Sequence, residues 1–436
     1  MPCPMYHFSS DHDWIELALH LDKRNVPDDS IENSVRSILQ DVQNHGDDAL
    51  VSYTKKFDCP GFEASQLKVP MQALETALDT IPKGDLSLIE EAAANIQRFH
   101  RQQKGHSWLD QTTPGLITGQ LVLPMAKAGL YIPGGQSGDT PLISSLLMNA
   151  IPAQVAGVER IAVVSPPRMD GTINPYTLAA AAVLGLHDVY AVGSAWAIAA
   201  LGYGTETIPQ VEVITGPGNI FVTTAKRLLV GRVAIDLIAG PSEIAILADR
   251  SASPEWLAAD LLSQAEHDAL ACSLLISPEP EILDKTRKAL KDQLQNLPRQ
   301  DIASSSLSQW GGLIQVPDMR TGFEFINSLA PEHLELCVDD PWSCLSYIHN
   351  AGAIFLGHHT PEPFGDYFAG PNHVLPTMGS AKFASALSVH NFMKKSSLIA
   401  ATSDYSQRNA DKVARLARLE GLEAHARSVA MRVKTK

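Results

Sequence analysis

The chain has 436 residues and a formal net charge of −14. That length exceeds what one ordinary core fills, so two or three domains are expected, and the negative charge disfavours nucleic-acid backbones and anionic membrane surfaces as partners. With 45% hydrophobic and 19% charged residues, the composition is that of a folded globular protein and excludes a disordered chain.

Residues 1–10 contain neither a basic start nor an apolar run, so no export signal is expected. No segment approaches the roughly 20 uninterrupted apolar residues of a spanning helix. Five cysteines (Cys3, Cys59, Cys272, Cys337, Cys344) show no CxxC spacing and read as reduced thiols of a cytoplasmic protein. The first ~105 residues carry helical periodicity. Asp29-Ser30 opens a run through Ile31, Val35, Ile38, Leu39 and Val42 that Gly46 is expected to close. A second run over 86–103 places Leu88, Ile89, Ala92, Ile96 and Phe99 on one face.

From Gly129 the texture changes. Segments 160–165, 188–193, 211–216, 233–238 and 243–249 are rich in Val and Ile, are bounded by Gly or Pro, and read as buried strands. Helical runs at 176–184, 195–201 and 220–229 separate them. The series continues with a helix at 256–267, a strand at 272–277 and a charged helix at 281–297. Such alternation predicts an α/β protein with parallel, right-handed, Rossmann-like doubly wound sheets. After about residue 380 the chain is expected to be helical to its end.

Several clusters carry chemistry. Gln264 and His267 stand three apart on a predicted helix and share a face. Asp366 and His373 lie in a stretch bracketed by Gly365 and Gly370, where backbone can approach a small ligand. Imidazole, carboxylate and amide oxygen together suit a divalent ion such as zinc, whereas calcium prefers oxygen alone. Glu332 and His333 are an adjacent acid and imidazole, a pair suited to proton transfer. Glycine-rich pieces at 129–135 and 215–219 each join a strand to a helix, where free N–H groups can hold phosphate. Neither is G-x-G-x-x-G, and plain turns remain an alternative. A third piece, Ala239-Gly240-Pro241-Ser242-Glu243, joins two strands and lets Ser242 reach a ligand.

Taken together, the strings YIPGG (131–135), TGPGN (215–219), AIDLIAGPSE (234–243), DLLSQAEHD (260–268), APEHLEL (330–336), GDYFAGPNHVLPT (365–377), SVHNFMKK (388–395) and LEGLEAH (419–425) closely resemble the histidinol dehydrogenase family. The resemblance spans 131–425 in order and at compatible spacing. It implies NAD-dependent, four-electron oxidation of L-histidinol to L-histidine through an enzyme-held aldehyde. It further implies one zinc per site, with Gln264, His267, Asp366 and His425 as ligands. The last histidine would come from the partner subunit of a homodimer, together with Glu420.

In the same family Glu332 and His333 match the proton-transfer pair, Ser242, His373 and Glu420 match substrate contacts, and Tyr131 and Asn219 match cofactor contacts. The expected division is a helical part, 1–128, joined to 236–380 as one Rossmann-like domain. A second such domain spans 129–235, and a small helical domain, 381–436, reaches the partner. Two departures fall on the cofactor side: Trp196 stands where the family has a cofactor-contacting glutamine, and the loop 136–140 is about three residues longer than usual. A relative oxidising another small polyol, such as a sulfonated diol, is the alternative enzyme.

Overall fold

The computed structural model describes residues 3–9, 11–25, 29–134 and 140–433. A short strand β1 (Met5–His7) and helix α1 (Asp11–Asp22) precede three helices, α2 (Asp29–Phe57), α3 (Met71–Thr80) and α4 (Lys83–Arg101). α2 runs past its expected stop because Gly46, at φ 50 and ψ −129, bends the helix instead of ending it. The next turn is again apolar and buries Ala49 and Leu50. On α4 the buried stripe is Ile89, Ala92, Ala93, Ile96 and His100, a step round from the expected face, so Leu88 and Phe99 are exposed.

After strands β2 (Trp108–Asp110) and β3 (Leu116–Pro124) the chain builds a five-stranded parallel sheet. Its strands are β4 (Lys127–Tyr131), β5 (Arg160–Ser165), β6 (Asp188–Ala191), β7 (Val213–Thr215) and β8 (Ala234–Ile235), in the order β6-β5-β4-β7-β8. Helices α5 (Ile143–Ala156), α6 (Pro175–Val183), α7 (Ser194–Tyr203) and α8 (Ile220–Leu229) connect them. Runs such as Ile161 to Val164 are buried at every position, as a sheet covered on both faces requires. The winding reverses between β4 and β7, the usual place for a ligand in such sheets.

The second sheet repeats the scheme with β9 (Glu243–Ala248), β10 (Cys272–Ser277), β11 (Gly312–Gln315), β12 (His333–Cys337) and β13 (Ala353–Leu356). Its order is β1-β11-β10-β9-β12-β13, with β1 added at the edge. Connections include α9 (Pro254–Ala265), α10 (Pro280–Leu294), α11 (Gln300–Gln309), α12 (Met319–Leu329) and α13 (Pro341–Cys344). Alternation sorts the two faces: Ile244, Ile246 and Cys337 share a core with Leu257 and Leu261 of α9, while Ala245, Leu247 and Leu334 share one with Leu17 and Phe325. Hence His333, Glu335 and Cys337 lie on the α9 side of β12.

The chain ends with α14 (Pro363–Tyr367), β14 (Met393–Ala401), α15 (Ser403–Leu419) and α16 (Glu423–Ala430). β14 pairs antiparallel with β3, which pairs with β2, giving a third sheet that periodicity did not reveal. Its polar centre, Lys394 to Ser397, hides the strand in a region expected to be helical.

The packing also differs from the expected division. Helices α2 to α4 bury Val35, Leu50, Leu74 and Ile96 in the core of β4 to β8, because the apolar stripe of α2 lands on α7 and α8. Only the segment carrying β1 and α1 packs with the six-stranded sheet. Among the described residues no helix is long and apolar enough to cross a membrane. The linker 236–242 leaves the C-terminal edge of the first sheet and enters the N-terminal edge of the second, where the reactive groups gather.

Candidate active site

After α12 the chain turns at Ala330, whose φ is 53, and Pro331 prevents the helix from resuming. β12 therefore starts at His333, and Glu332 and His333 are buried at the sheet's N-terminal edge. Both side chains bind a single residue. The Glu332 carboxylate accepts the Glu243 N–H at 2.8 Å, and His333 Nδ1 donates to the Glu243 carbonyl at 2.8 Å. A carbonyl can only accept, so Nδ1 carries the proton and Nε2 keeps its lone pair. Nε2 is buried with no hydrogen-bond partner, and the nearest carboxylate oxygen, Glu362 Oε1, is 3.8 Å away.

Burial lowers the pKa of His333 to about 4, with the charge of Asp366 acting in the opposite direction. The ring is thus neutral across the working pH range and can accept a proton. Burial raises Glu332 well above the ordinary carboxylate range, opposed by the Glu243 N–H and reinforced by the charges of Glu243, Asp366 and Glu362.

Gln264 occupies the last turn of α9, where it is 1% exposed and neither amide atom has a partner. His267 does not share that helix. α9 stops at Ala265, and His267 follows as an exposed residue whose N–H meets the Gln264 carbonyl at 3.2 Å. α14 presents Asp366, whose carboxylate is 3.6 Å from His373 Nδ1. Ligand-type atoms of His333, Glu362 and Asp366 lie within 4.8 Å of one another. Of the four expected ligands, only Asp366 belongs to that trio. Buried atoms without partners (both Gln264 amide atoms, His333 Nε2, His373 Nε2, Glu362 Oε1) are the kind that a bound cation satisfies. Their mix of imidazole, carboxylate and amide fits zinc or a similar divalent ion.

Sequence reasoning missed Glu362, which sits between two prolines just ahead of the recognised string. The signal was there: it precedes Asp366 by four residues, one helical turn. Burial and then the Asp366 charge push Glu362 up to about 9. Behind it lies a second acidic pair. Glu335 accepts the Glu362 N–H at 2.8 Å and follows His333 by two, on the same face of β12. Asp260 precedes Gln264 by four on α9.

Burial raises Asp260 to about 6 and Glu335 well above its ordinary value, the neighbouring acid adding to the rise of Glu335. A carboxyl with a raised folded pKa contributes stability below its unfolded pKa and loses it as pH climbs through the folded value. Glu335→Gln should therefore gain melting temperature relative to the parent as pH goes from about 5 to about 8. A difference that stays constant over that window would contradict the assignment.

At the other sheet, β4 ends in Tyr131 and β7 in Thr215, side by side at the switch in winding. Gly216 follows at φ 117, where a Cβ would lie 2.1 Å from the Tyr131 carbonyl oxygen, so only glycine fits. Asn219 caps α8, its Oδ1 accepting the Phe221 and Val222 N–H groups at 3.0 and 3.2 Å, and it stands exposed at the helix start. The Tyr131 hydroxyl accepts the Ser194 N–H at 3.3 Å, and burial raises its pKa to about 12. Trp196 is 4% exposed and stacks on Tyr53 and Phe57 at 5.6 and 5.5 Å, so its ring is engaged by α2. Of the expected longer loop 136–140, residues 136–139 lie outside the described residues, as does Gly135.

Ser242 is half-buried immediately before β9, its carbonyl accepting the Cys272 N–H. Glu420 caps the C-terminal end of α15 and His425 lies in the first turn of α16, both exposed. Side-chain bonds from that hairpin go to the hairpin itself and to Pro114. Within one chain, Glu332, His333, Asp366 and His373 gather with Glu362 at the second sheet.

A family model described as Histidinol dehydrogenase matches residues 21–433. The histidinol dehydrogenase of Oleidesulfovibrio alaskensis is 57% identical over 433 residues, covering 99% of this chain and 100% of its own length. That of Nitratidesulfovibrio vulgaris is 56% identical, with 99% of each chain covered. The crystal structure of histidinol dehydrogenase from Elizabethkingia anophelis superposes with a TM-score of 0.92 at 37% identity, over 99% of this chain and 98% of that one.

Proposed function

This chain belongs to the histidinol dehydrogenase family, NAD-dependent oxidoreductases of histidine biosynthesis, and we propose that it oxidises L-histidinol to L-histidine in two hydride transfers at one zinc site. The observation that carries the reading is the doubly anchored pair: Glu332 and His333 held to the two ends of Glu243, with His333 Nε2 free.

In the first oxidation the alcohol proton passes to His333 Nε2 while its carbon gives up a hydride. The neutral, correctly protonated ring needs no prior rearrangement. Water must then add to the aldehyde, and Glu332, made more basic by burial, takes the proton of that water. Once His333 has passed its first proton to solvent, a second hydride leaves, the remaining proton moves to His333 Nε2, and the carboxylate of L-histidine results. Ser242, His373 and the partner's Glu420 would grip the substrate's imidazole and amine. Tyr131 and Asn219 would hold NAD at the switch in winding of the first sheet, and NAD would supply the hydride acceptor. Gln264, His267, Asp366 and the partner's His425 would hold zinc, which when bound would orient the alcohol and polarise it as a Lewis acid.

On this reading the site is completed only in a homodimer, a reading that the exposure of Glu420 and His425 in their own chain supports. All five cysteines are free, which supports a cytoplasmic setting. Incubation with L-histidinol and excess NAD should yield about two NADH per substrate consumed. Chelator should abolish the reaction and added zinc restore it. One NADH per substrate, with aldehyde released, would contradict the reading.

A further inference from the structure

We propose that Arg24 and Glu243 form a positioning pair for this reaction, through which the N-terminal segment holds both proton-transfer groups in place. The proposal rests on the roles given above to Glu332 and His333. Those side chains bind the N–H and the carbonyl of Glu243, so their placement follows that residue's backbone. The ladder between β9 and β12 begins one residue later, with Ile244 opposite His333. On the β12 side, therefore, the Glu243 backbone is bonded to the reactive side chains themselves and not to the sheet. Pairing with Cys272 of β10 fixes its other side, which leaves the side facing β12 to be fixed separately.

The Glu243 side chain does so. It is 4% exposed, one oxygen paired with the Arg24 guanidinium and the other accepting the Met378 N–H at 3.2 Å. Arg24 is 8% exposed and also donates from Nε to the Leu21 carbonyl and from Nη1 to the Leu270 carbonyl, at 3.1 and 3.4 Å. A planar fork meeting a carboxylate and two carbonyls admits little freedom. Four segments distant in sequence are thereby tied at one point beneath the site: the end of α1, the start of β9, the turn before β10 and the turn at Met378. The polar atoms of both side chains are bonded to each other and to backbone groups, so their effect passes through Glu332 and His333. Displacing a reactive group by about 1 Å lowers rate by on the order of 100-fold.

The test measures kcat, KM for NAD, zinc content and melting temperature in the full-length protein for Arg24→Lys and the double variant Arg24→Met with Glu243→Met. The double variant removes both charges and so avoids leaving a buried carboxylate unpaired. We expect kcat to fall by about 10- to 100-fold in the double variant and less in Arg24→Lys, with zinc content and KM for NAD within about twofold of the parent. Should the double variant not fold, a reduced kcat at parental KM in folded Arg24→Lys supports the pair, and a parental kcat there overturns it. Parental kcat in a folded double variant would mean that the two groups merely neutralise each other, and would overturn the proposal. His333→Gln, run alongside, separates the two readings: if it stays active, the assignment of the site itself fails.

Discussion

Replacing His333 by Gln should lower kcat by about 10²- to 10⁴-fold while zinc content and NAD binding stay at parental levels. Glutamine keeps much of the volume and can donate through its amide to the Glu243 carbonyl, where His333 Nδ1 now does. It offers no lone pair of comparable basicity at the position of Nε2. The loss therefore isolates proton transfer from packing. It should also be hard to rescue with pH, because the native ring is already neutral: burial holds its pKa at about 4, so lowering pH toward that value removes the base and raising it adds nothing. Turnover is measured with saturating L-histidinol and NAD, and zinc by atomic absorption. A rate within tenfold of the parent would remove His333 from the mechanism.

His425→Ala should lose zinc and turnover together, by roughly 100-fold or more in metal affinity, since even indirect supports of a ligand cost 10- to 100-fold when removed. With both proteins freed of zinc, its melting temperature should stay close to the parent's. In its own chain His425 is exposed in the first turn of α16, so little packing is lost. That contrast, large in function and small in stability, is unusual for a residue far from the sheets and would be hard to produce by unfolding. Retention of a full zinc equivalent would count against the ligand set.

How much of this was legible in the sequence depends on the kind of signal. The parallel sheets were, because runs such as Ile161 to Val164 and Ile244 to Leu247 are apolar at every position and separated by helical periods. Glu332, His333, Asp366 and His373 were, because they are reactive residues in compact strings. The antiparallel sheet was not, since β14 carries two lysines and two serines at its centre and pairs with a strand some 270 residues away, as the register of Ser397 with Gln120 shows. Gly46 misled because a glycine that ends many helices here only bends one.

The place of α2 to α4 could not be read either, because an apolar stripe says that a helix is buried and not against which sheet. His267 fell outside α9 because the helix ends two residues earlier than expected, and helix ends are the least dependable feature of any pattern reading. Arg24 and Glu243 were invisible for a different reason. Nothing in either string marks a partner 219 positions away, and only the folded chain brings them together.

The most direct test of the account is a mixing experiment with two inactive variants. His333→Gln and His425→Ala proteins are combined, dissociated and allowed to reassociate, and NADH formation from L-histidinol is measured. If each site takes His333 from one subunit and His425 from the other, every mixed dimer contains one site lacking both and one site with both. Random reassociation makes half of the dimers mixed, so about a quarter of parental activity should return. If both residues served the site of their own chain, no intact site could form. A mixture as inactive as its components, with mixed dimers shown to be present, would contradict the account.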